Sequence, residues 1–424
     1  MTKILFTIQW YGLPSHIATS ANALCDKNII TELKKNKNYE IHVLSYGVSG
    51  YPLEENVNGV IVHRFRRDFL WDTCVKNRAS KSFFYRILDK TNRMLLRIKQ
   101  IIFIPIFPNF GPLHTLHYER EAIKLHEKYK FDIILSEFNG IDSVYAGLAV
   151  KKRYKNITYI PLCWDSISGG RLVGFLPRKL CLKLRRRAEN KVMKFADVAV
   201  VMRSSKPFHE KYTSEYSYYN KLVYLDVPYF VVREKPSEKK KIGGTIRMLY
   251  SGTMTDRSPK PLFDILSRTP WNFDFLFICH SEFHSRLQEY NGIYSNISVR
   301  CLPYMSHEEL SKYQEESDVL VNFGVSNLNA VSGKIFDYMT TGKAIISTAK
   351  FENEACIPYL KKYPLAFVLY EYADKDSNTL MINEFLGRID NSIVDVNKIR
   401  DEFAENDPKT YADFITQKIE ERRK

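Results

Sequence analysis

A short polar loop followed by a lysine and an aspartate offers the clearest chemistry in this sequence. The loop Asn327–Ser332, which includes Val331, leads into Gly333–Thr341, where apolar residues recur at helical spacing. A loop that enters a helix exposes unpaired backbone N–H groups and the positive end of the helix dipole, and both suit a phosphate. The stretch therefore predicts a phosphate-binding turn.

Side chains along this stretch extend the hypothesis. Ser332 is predicted to be the helix N-cap, and Gly342 stands where a left-handed C-cap belongs. Lys334 places a cation in the first turn, which is unfavourable for the helix dipole unless an anion lies nearby. Asp337, three residues on, lies beside Lys334 on the helix surface and could accept hydrogen bonds from sugar hydroxyls. The alternative is an ordinary βαβ helix with a surface Lys–Asp pair.

Composition indicates what kind of protein surrounds this stretch. The chain has 424 residues, of which 45% are hydrophobic and 13% aromatic, so two domains are expected. Its net charge of +15 predicts acidic partners, namely nucleic acid, an anionic membrane surface or phosphorylated substrates. Seven scattered cysteines without a CxxC pair indicate a reducing compartment and argue against disulfides or a zinc site. The apolar runs are too short for a signal peptide or a membrane-spanning helix.

Strands and helices alternate along the first part of the chain, which predicts a Rossmann-like domain. The predicted strands are Ile4–Ile8, Tyr39–Leu44, Val57–Phe65 (a strand or hairpin), Phe131–Ser136, Thr158–Leu162, Asp197–Met202 and Leu222–Pro228, and the predicted helices are Ala21–Lys35, His117–Tyr129, Ser143–Tyr154 and Arg178–Phe195. The loop Gln9–Ser20 lacks GxGxxG, so no dinucleotide cofactor is expected. Asp165 follows a strand, and ligands of open α/β sheets bind outside the carboxyl ends of strands. It is a candidate base or acceptor-site residue, or else a helix N-cap or turn residue.

The segment of about residues 66–112 departs from this alternation. Its lysines and arginines alternate with large apolar side chains, a pattern that suits a helix lying in a membrane interface. Pro105 and Pro108 end the apolar run before it could span a membrane. Two alternatives are a helical insertion packed on its own domain and a nucleic-acid surface, where aromatic side chains stack on bases. No RRM, KH or zinc-finger pattern supports nucleic acid.

A second strand–helix series begins at Thr245, after a charged linker at Lys235–Gly244. The predicted strands are Arg247–Tyr250, Phe273–Cys279, Ile297–Leu302, Asp318–Phe323 and Ala344–Ser347, and the predicted helices include Ser306–Glu316 and Lys409–Arg423. The histidines His280 and His284 are read as structural or surface residues, and the Asp374–Asp376 pair as a solvated turn. No metal site is therefore expected.

The stretch Ser326–Ala349 resembles the C-terminal signature of GT-B glycosyltransferases, in particular the large retaining, family 4-like group that builds bacterial polysaccharides. The shared pattern is a small polar loop, then Lys-[Ile/Leu]-Phe-[Glu/Asp]-Tyr-Met, two small residues, Gly-Lys and an apolar strand, here SNLNAVSGKIFDYMTTGKAIISTA. Many members have two glutamates eight positions apart. Asp337 stands at the second place, which usually holds the nucleotide ribose, and Asn329 at the first, which usually lies near the donor sugar. The resemblance covers most of the chain and is strong over about residues 247–350.

The resemblance implies roles for further residues of the second series. Gly252 and Thr253 match the family's Gly-Thr after the first strand of the nucleotide domain. Lys260, with Arg257 as the alternative, matches a lysine that binds the donor diphosphate and offsets charge on the leaving nucleotide. Tyr304 stands where members pack the nucleotide base.

The resemblance also extends to the first series. In the family the first loop faces the interdomain cleft, so Gly12 would let the backbone approach the substrate. Trp164 stands where some members have histidine, so a catalytic histidine is not supported. Asp165 and Asn329 are then the candidate catalytic residues.

Together these observations predict an α/β GT-B fold of two Rossmann-like β/α/β domains facing a central cleft. The predicted parts are an acceptor-binding domain at 1–234, a linker at 235–244, a nucleotide-sugar domain at 245–400 and a helix in 401–424 that crosses back. The resemblance implies a hexosyltransferase-like enzyme without metal or cofactor. It would move a sugar, with retention, from a nucleotide-sugar to a hydroxyl of a saccharide or polyprenyl-linked saccharide in surface polysaccharide biosynthesis. We expect a cytoplasmic protein, peripheral on the anionic inner membrane face, without a nucleic-acid partner.

Two other functions stay open. A sugar-nucleotide epimerase of the same fold would need acidic and histidine catalysts that are not visible in the sequence. A non-catalytic relative that binds saccharide or membrane is suggested by Asn329 and Trp164, which stand at positions where family members carry an acid and a histidine.

Overall fold

In a computed structural model, the chain folds into two α/β units. The first unit comprises Met1–Pro228 and Pro408–Lys424, and the second comprises Tyr229–Asp407. The structure describes residues 1–14, 21–76, 83–164, 166–168, 176–211, 218–233, 243–325, 331–390 and 392–423. Most of the predicted linker, residues 235–242, lies outside this described part.

Fourteen strands and fifteen α-helices are formed by the described residues. The strands are β1 (Thr2–Thr7), β2 (Tyr39–Gly47), β3 (Glu54–Val57), β4 (Val60–Arg66), β5 (Ile133–Glu137), β6 (Thr158–Cys163), β7 (Ala199–Met202), β8 (Leu222–Leu225), β9 (Thr245–Ser251), β10 (Asn272–Ile278), β11 (Ile297–Leu302), β12 (Val319–Asn322), β13 (Ala344–Ala349) and β14 (Ala366–Tyr370). The helices are α1 (Ala21–Leu33), α2 (Phe69–Lys76), α3 (Phe83–Ile102), α4 (Pro112–Tyr129), α5 (Ile141–Arg153), α6 (Arg178–Met193), α7 (Lys206–Lys211), α8 (Lys260–Leu266), α9 (His284–Gln288), α10 (His307–Glu316), α11 (Lys334–Met339), α12 (Ile357–Lys362), α13 (Lys375–Arg388), α14 (Val396–Ile399) and α15 (Pro408–Arg423).

Eight strands form the sheet of the first unit, in the order β3-β4-β2-β1-β5-β6-β7-β8. Neighbouring strands are parallel except in the hairpin of β3 and β4. Ile4, Leu5 and Phe6 of the central strand β1 are fully buried, as expected for a parallel strand whose two faces are both covered. The predicted Rossmann-like order is confirmed, and the predicted strand or hairpin near residue 60 is a hairpin.

The last helix, α15, packs within the first unit. Tyr411 is fully buried, and its hydroxyl donates a hydrogen bond to the backbone carbonyl of Asp226. Its ring meets the ring of Trp164 edge-on, with the centroids 5.4 Å apart. The first unit is thus completed by residues from the end of the chain.

The basic and apolar segment forms α2, α3 and a short turn that leads to α4. Met94, Leu96, Ile101 and Ile102 of this segment are between 42% and 62% exposed, so α3 leaves much of its apolar surface uncovered. None of the described helices combines the length and apolar character needed to cross a bilayer.

Six strands form the sheet of the second unit, in the order β11-β10-β9-β12-β13-β14, and all neighbours are parallel. Aromatic rings fill its core: the centroids of Phe275 and Phe277 are 4.6 Å apart, and Phe323 stacks on Phe277 at 6.2 Å. Parallel pairing places the loops that follow the strands at one edge of the sheet, where ligands of such sheets bind.

The helix of the predicted phosphate-binding turn is shorter than expected and begins at Lys334. Its N-cap is Gly333, with no side-chain cap, so the prediction of Ser332 as N-cap is wrong. The backbone carbonyl of Ser332 instead accepts a hydrogen bond from Ile335 N at 3.1 Å, in a tight turn that precedes the helix. Gly342 has φ = 76°, which confirms its predicted left-handed conformation, but the C-cap of the helix is Thr340, two residues earlier.

Two carboxyl groups meet in the interior of the first unit. Asp26 on α1 and Glu137 at the end of β5 are both fully buried. Gln9 N donates to Glu137 Oε2 at 3.0 Å, and Trp164 Nε1 donates to Asp26 Oδ1 at 3.3 Å. Burial raises the pKa of Glu137 to about 7, and burial together with Glu137 raises the pKa of Asp26 well above its usual value.

We expect Glu137→Gln to raise the free energy of unfolding at pH 8, with a gain that shrinks as the pH falls towards 4.5. A raised carboxyl pKa means that, between the usual value of 4.5 and about 7, folded Glu137 keeps a proton that the unfolded chain releases. Residue 137 of the native protein therefore contributes a loss of stability as the pH rises through this window, and a glutamine at this position does not. Urea unfolding at several pH values measures the difference.

The matched control is Glu210→Gln, because Glu210 is exposed. Its effect on the free energy of unfolding is expected to stay constant across the same pH range. A gain from Glu137→Gln that is equal at pH 5 and pH 8 would contradict the raised pKa.

Candidate functional site

Lys334 is enclosed at the carboxyl edge of the second sheet. Its Nζ donates a hydrogen bond to the backbone carbonyl of Ser251 at 2.7 Å and lies 4.2 Å from the centroid of the Tyr250 ring. Both residues belong to the end of β9. Within the described part of the chain, no carboxylate lies within ion-pair distance of this ammonium group.

The charge of Lys334 is therefore poorly compensated. Burial and the nearby Arg257 guanidinium hold the pKa of Lys334 well below its usual value. A bound anion would raise this pKa again, because its negative charge would favour the protonated, charged form of Lys334. This is the electrostatic arrangement expected of a site that awaits a negatively charged ligand.

Arg257 is the second cation of this cluster. Its Nη1 donates to the carbonyl of Thr253 at 2.9 Å, and its Nε donates to the carbonyl of Phe323 at 3.2 Å, just beyond β12. Its partners here are neutral carbonyls, and the described residues place no carboxylate within ion-pair distance of its guanidinium. The two cations thus lie together on loops that follow neighbouring strands.

Lys260, the first choice for the diphosphate cation, has other contacts. Its Nζ is 2.9 Å from a carboxylate oxygen of Asp264, and Lys375 lies 3.2 Å from the same atom. The structure therefore associates Lys334 with Arg257, which the sequence gave as the alternative. The role of Lys260 stays a prediction.

Gly252 lies between these groups and cannot carry a side chain. Its φ is 138°, and a Cβ atom there would lie 2.3 Å from Lys334 Nζ. The following residue, Thr253, is exposed, and its carbonyl also accepts a hydrogen bond from Tyr250 Oη at 2.6 Å. Gly252 and Thr253 thus join the predicted cluster around Lys334.

The turn before α11 is partly described. Ser332 N donates to Cys356 Sγ at 3.1 Å, and Val331 and Ser332 are both half-buried. A Cβ atom at Gly333 would lie 2.5 Å from the Tyr229 ring. Asn329, the candidate near the donor sugar, lies outside the described residues.

Asp337 is held by groups other than Lys334. Its Oδ2 accepts from Gln314 Nε2 at 2.6 Å, and its Oδ1 lies 3.4 Å from Arg233 Nη2 and 3.7 Å from His307 Nε2. These contacts use part of the capacity of a carboxylate, which has about four acceptor positions. Asp337 can therefore still accept a ribose hydroxyl, while the alternative surface pair with Lys334 is not observed.

Tyr304 follows β11 at the same edge and is 39% exposed. Its ring meets that of His280 edge-on, with the centroids 4.3 Å apart. Burial raises the pKa of Tyr304 to about 12, so its hydroxyl is neutral at physiological pH. The exposed ring face can pack on a nucleotide base, and His280 supports the ring.

No cluster of three or more metal-binding side chains occurs among the residues with described positions. His284 Nε2 lies 3.3 Å from the carbonyl of Cys279. Asp374 caps α13 by accepting from Ser377 N at 2.8 Å, and Asp376 lies 2.7 Å from Arg268 Nη1. These contacts account for the histidine and the acidic pair without a ligand.

The site residues predicted in the first unit are Gly12 and Asp165. Gly12 has φ = 66°, and a Cβ atom there would lie 3.0 Å from Arg64 Nη2 and from Val57. Packing around Arg64 is therefore sufficient to require glycine at this position. Asp165, the candidate base, lies outside the described residues.

A second arrangement in the first unit was not anticipated from the sequence. His114 Nε2 on α4 lies 3.3 Å from Asp142 Oδ2 on α5, and Tyr46 Oη donates a hydrogen bond to the same oxygen. These side chains line a cavity of about 730 Å³. The only sequence signal was the position of Tyr46 and Asp142 near the carboxyl ends of β2 and β5.

No protein-family model and no curated protein sequence matches the chain. Solved structures do match over nearly its whole length. Trehalose-6-phosphate synthase OtsA has a TM-score of 0.62 at 10% identity, covering 99% of each chain. An α,α-trehalose-phosphate synthase (UDP-forming) from Burkholderia xenovorans, in complex with glucose-6-phosphate, has 0.59 at 10%, covering 99% of this chain and 100% of its own.

The lipopolysaccharide outer core galactosyltransferase WaaB, in its apo form, has a TM-score of 0.50 at 13% identity, covering 91% of this chain and 90% of its own. At these identities the likeness establishes the fold. The predicted GT-B fold is confirmed by these matches and by the two sheets.

We expect Lys334→Met to raise the melting temperature of the protein without ligand. The change removes a poorly compensated buried charge, and about 1 kcal/mol is a typical effect for such a group. For a domain of this size that energy corresponds to ~2–4 °C. Differential scanning calorimetry measures it, with Lys260→Met as the control because that ammonium is exposed and paired. A lower melting temperature for Lys334→Met than for Lys260→Met would contradict this account.

Proposed function

We propose that the protein is a glycosyltransferase that binds a nucleoside diphosphate sugar in its second unit. The observation that carries this proposal is the pair of cations Lys334 and Arg257, which have no carboxylate at ion-pair distance among the described residues, beside Gly252 with its φ of 138°. A diphosphate supplies the missing negative charge. In the reaction, the two cations stabilise the charge that develops on the leaving nucleotide, so no metal is required.

The remaining groups fit the other parts of such a donor. Tyr304 packs against the base, and Asp337 accepts hydrogen bonds from the ribose. Val331 and Ser332 lie along the diphosphate, and Asn329 is assigned to the donor sugar. The fold supports this assignment, since one structure of the same fold is described as UDP-forming and another as a galactosyltransferase.

The acceptor, in this proposal, binds to the first unit and supplies a hydroxyl group of a saccharide or a polyprenyl-linked saccharide. Transfer proceeds with retention, with Asp165 as a candidate base or acceptor contact. Surface polysaccharide synthesis at the inner face of the cell membrane is the biological role that accords with the basic, apolar α3. The match to a lipopolysaccharide galactosyltransferase agrees with this role.

Calorimetric titration with the diphosphates of uridine, guanosine, adenosine, cytidine and thymidine tests donor binding. We expect one base to be preferred, and Lys334→Met and Arg257→Met each to weaken that nucleotide at least about tenfold, as expected for loss of a charged contact. Lys260→Met is the matched control and should change the affinity less than twofold. Absence of binding by any of the five to folded, monodisperse protein would overturn the proposal.

The reaction itself separates the alternatives. Incubation with the sugar nucleotide of the preferred base should release the nucleoside diphosphate, slowly to water and faster with a saccharide acceptor. An epimerase would yield a second sugar nucleotide without release. A non-catalytic relative would bind the nucleotide and yield neither product, and mass spectrometry distinguishes the three.

The membrane role is tested with vesicles that contain 30% phosphatidylglycerol. Lys90 and Arg97 are exposed on α3, and a basic residue near an anionic surface contributes ~1 kcal/mol. Reversing both charges to Glu should therefore weaken binding at least about tenfold in a sedimentation assay. The control variant reverses Lys361 and Lys362, which are exposed on α12, and should bind as the native protein does. Equal loss in both variants would show general charge attraction and contradict a role for α3.

A further inference from the structure

The cavity of about 730 Å³ in the first unit has a size that suits a small-molecule ligand. Its lining includes residues at or after the ends of parallel strands, namely Tyr46 near the end of β2, Arg67 after β4 and Asp142 after β5. Residues of α3 and of the turn that follows it also line the cavity. The segment of residues 66–112 thus supplies much of the lining.

Part of the cavity lining is polar and includes Tyr46, His114 and Asp142. Although burial alone would raise it, the neighbouring His114 imidazole and Tyr46 hydroxyl hold the pKa of Asp142 below its usual value, so the carboxylate is ionised. His114 and Asp142 are only about one-seventh exposed. An ionised carboxylate beside an imidazole suits hydroxyl groups. A hydroxyl can donate a hydrogen bond to the carboxylate, and it can donate to or accept from the imidazole.

The lining also has an apolar wall, defined here as Leu96, Phe103, Phe110 and Leu113, and Leu113 is 82% exposed. The apolar surface continues outward along α3, where Ile101 and Ile102 are also exposed. An apolar chain bound at this wall would cover surface that the protein leaves in water.

Three cations line the same cavity. They are Arg66, Arg67 and Lys99, and within the described part of the chain none of them has a carboxylate at ion-pair distance. Arg67 lies over the Trp71 ring, with its guanidinium carbon 4.7 Å from the centroid. Stacking fixes the plane of the guanidinium, which favours bidentate contact with a phosphate.

We propose that this cavity binds an amphiphile in which a phosphate joins an apolar chain to a hydroxylated group. The hydroxylated group lies at His114 and Asp142, the phosphate at Arg67 and Lys99, and the chain along Leu96 and α3. The inference rests on the proposed function in one respect, since it identifies this amphiphile as the sugar acceptor.

Decyl phosphate, used below its critical micelle concentration, is the probe for the phosphate and the chain. Titration calorimetry should show binding at least tenfold tighter than that of decanol or inorganic phosphate, because both parts of the cavity are then occupied. The double variant Arg67→Met with Lys99→Met should lose at least tenfold of this affinity. Arg93→Met, on α3 but outside the cavity lining, should retain it.

Several outcomes would overturn the proposal. Inorganic phosphate that binds as well as decyl phosphate would indicate a simple anion site. Decanol that binds as well would indicate an apolar groove, and equal loss in Arg93→Met would indicate adsorption to the basic surface of α3. Soluble short-chain phosphatidylglycerol, below its critical micelle concentration, that displaces decyl phosphate from the native protein and from Arg93→Met alike, and binds more tightly, would assign the cavity to a membrane lipid headgroup instead of a sugar acceptor.

The nucleotide titration keeps the two proposals separate. The double variant should still bind the preferred nucleoside diphosphate within twofold of the native affinity, which also shows that it is folded. If the native protein binds the nucleotide but does not bind decyl phosphate, only the cavity assignment is overturned. If the native protein binds decyl phosphate but no nucleotide, the amphiphile site is supported and the proposed glycosyltransferase function is contradicted.

Discussion

Parallel pairing of strands is the constraint on which both candidate sites depend. A parallel sheet sends every strand in the same direction, so residues far apart in the chain meet where the strands end. In the second unit this brings Ser251, Phe323 and Tyr304 to one edge, after β9, β12 and β11. In the first unit the same constraint gathers Tyr46 and Asp142 after β2 and β5.

At this edge the second unit holds positive charge that no described carboxylate neutralises at ion-pair distance. The Ser251 carbonyl and the Tyr250 ring contact Lys334. Each carries only a partial negative charge, whereas the ammonium group carries a full positive charge. Such an arrangement costs stability in the empty protein and favours the state in which an anion is bound. Stability and ligand affinity are thus opposed at one side chain, as is common where a site is built before its ligand arrives.

Local patterns in the sequence were sufficient for the architecture and for Lys334. Alternation of apolar runs predicted the two sheets, and Gly342 marked the turn that follows α11, where the backbone is left-handed. The choice between Lys260 and Arg257 depended on which of the two side chains lies near Lys334. The spacing of residues in the sequence does not determine this. Ser332 was wrongly predicted as a cap because a tight turn precedes the helix.

The cavity of the first unit was harder to foresee. His114 and Asp142 lie on different helices, and their meeting depends on how α4 and α5 pack rather than on any spacing. The composition of α3 did indicate a helix with uncovered apolar surface. The composition of α3 could not indicate that this helix lines a cavity.

The position of α15 has a consequence for synthesis of the chain. The second unit is contiguous in sequence, whereas the first contains Tyr411, which can pack against Trp164 only after the ribosome has synthesised all of the second unit. During translation the second unit can therefore complete its core first, although its residues emerge later than most of the first unit. Until α15 has been synthesised, the incomplete first unit exposes the apolar surface that this helix covers in the folded protein, and chaperones would encounter the chain in that state.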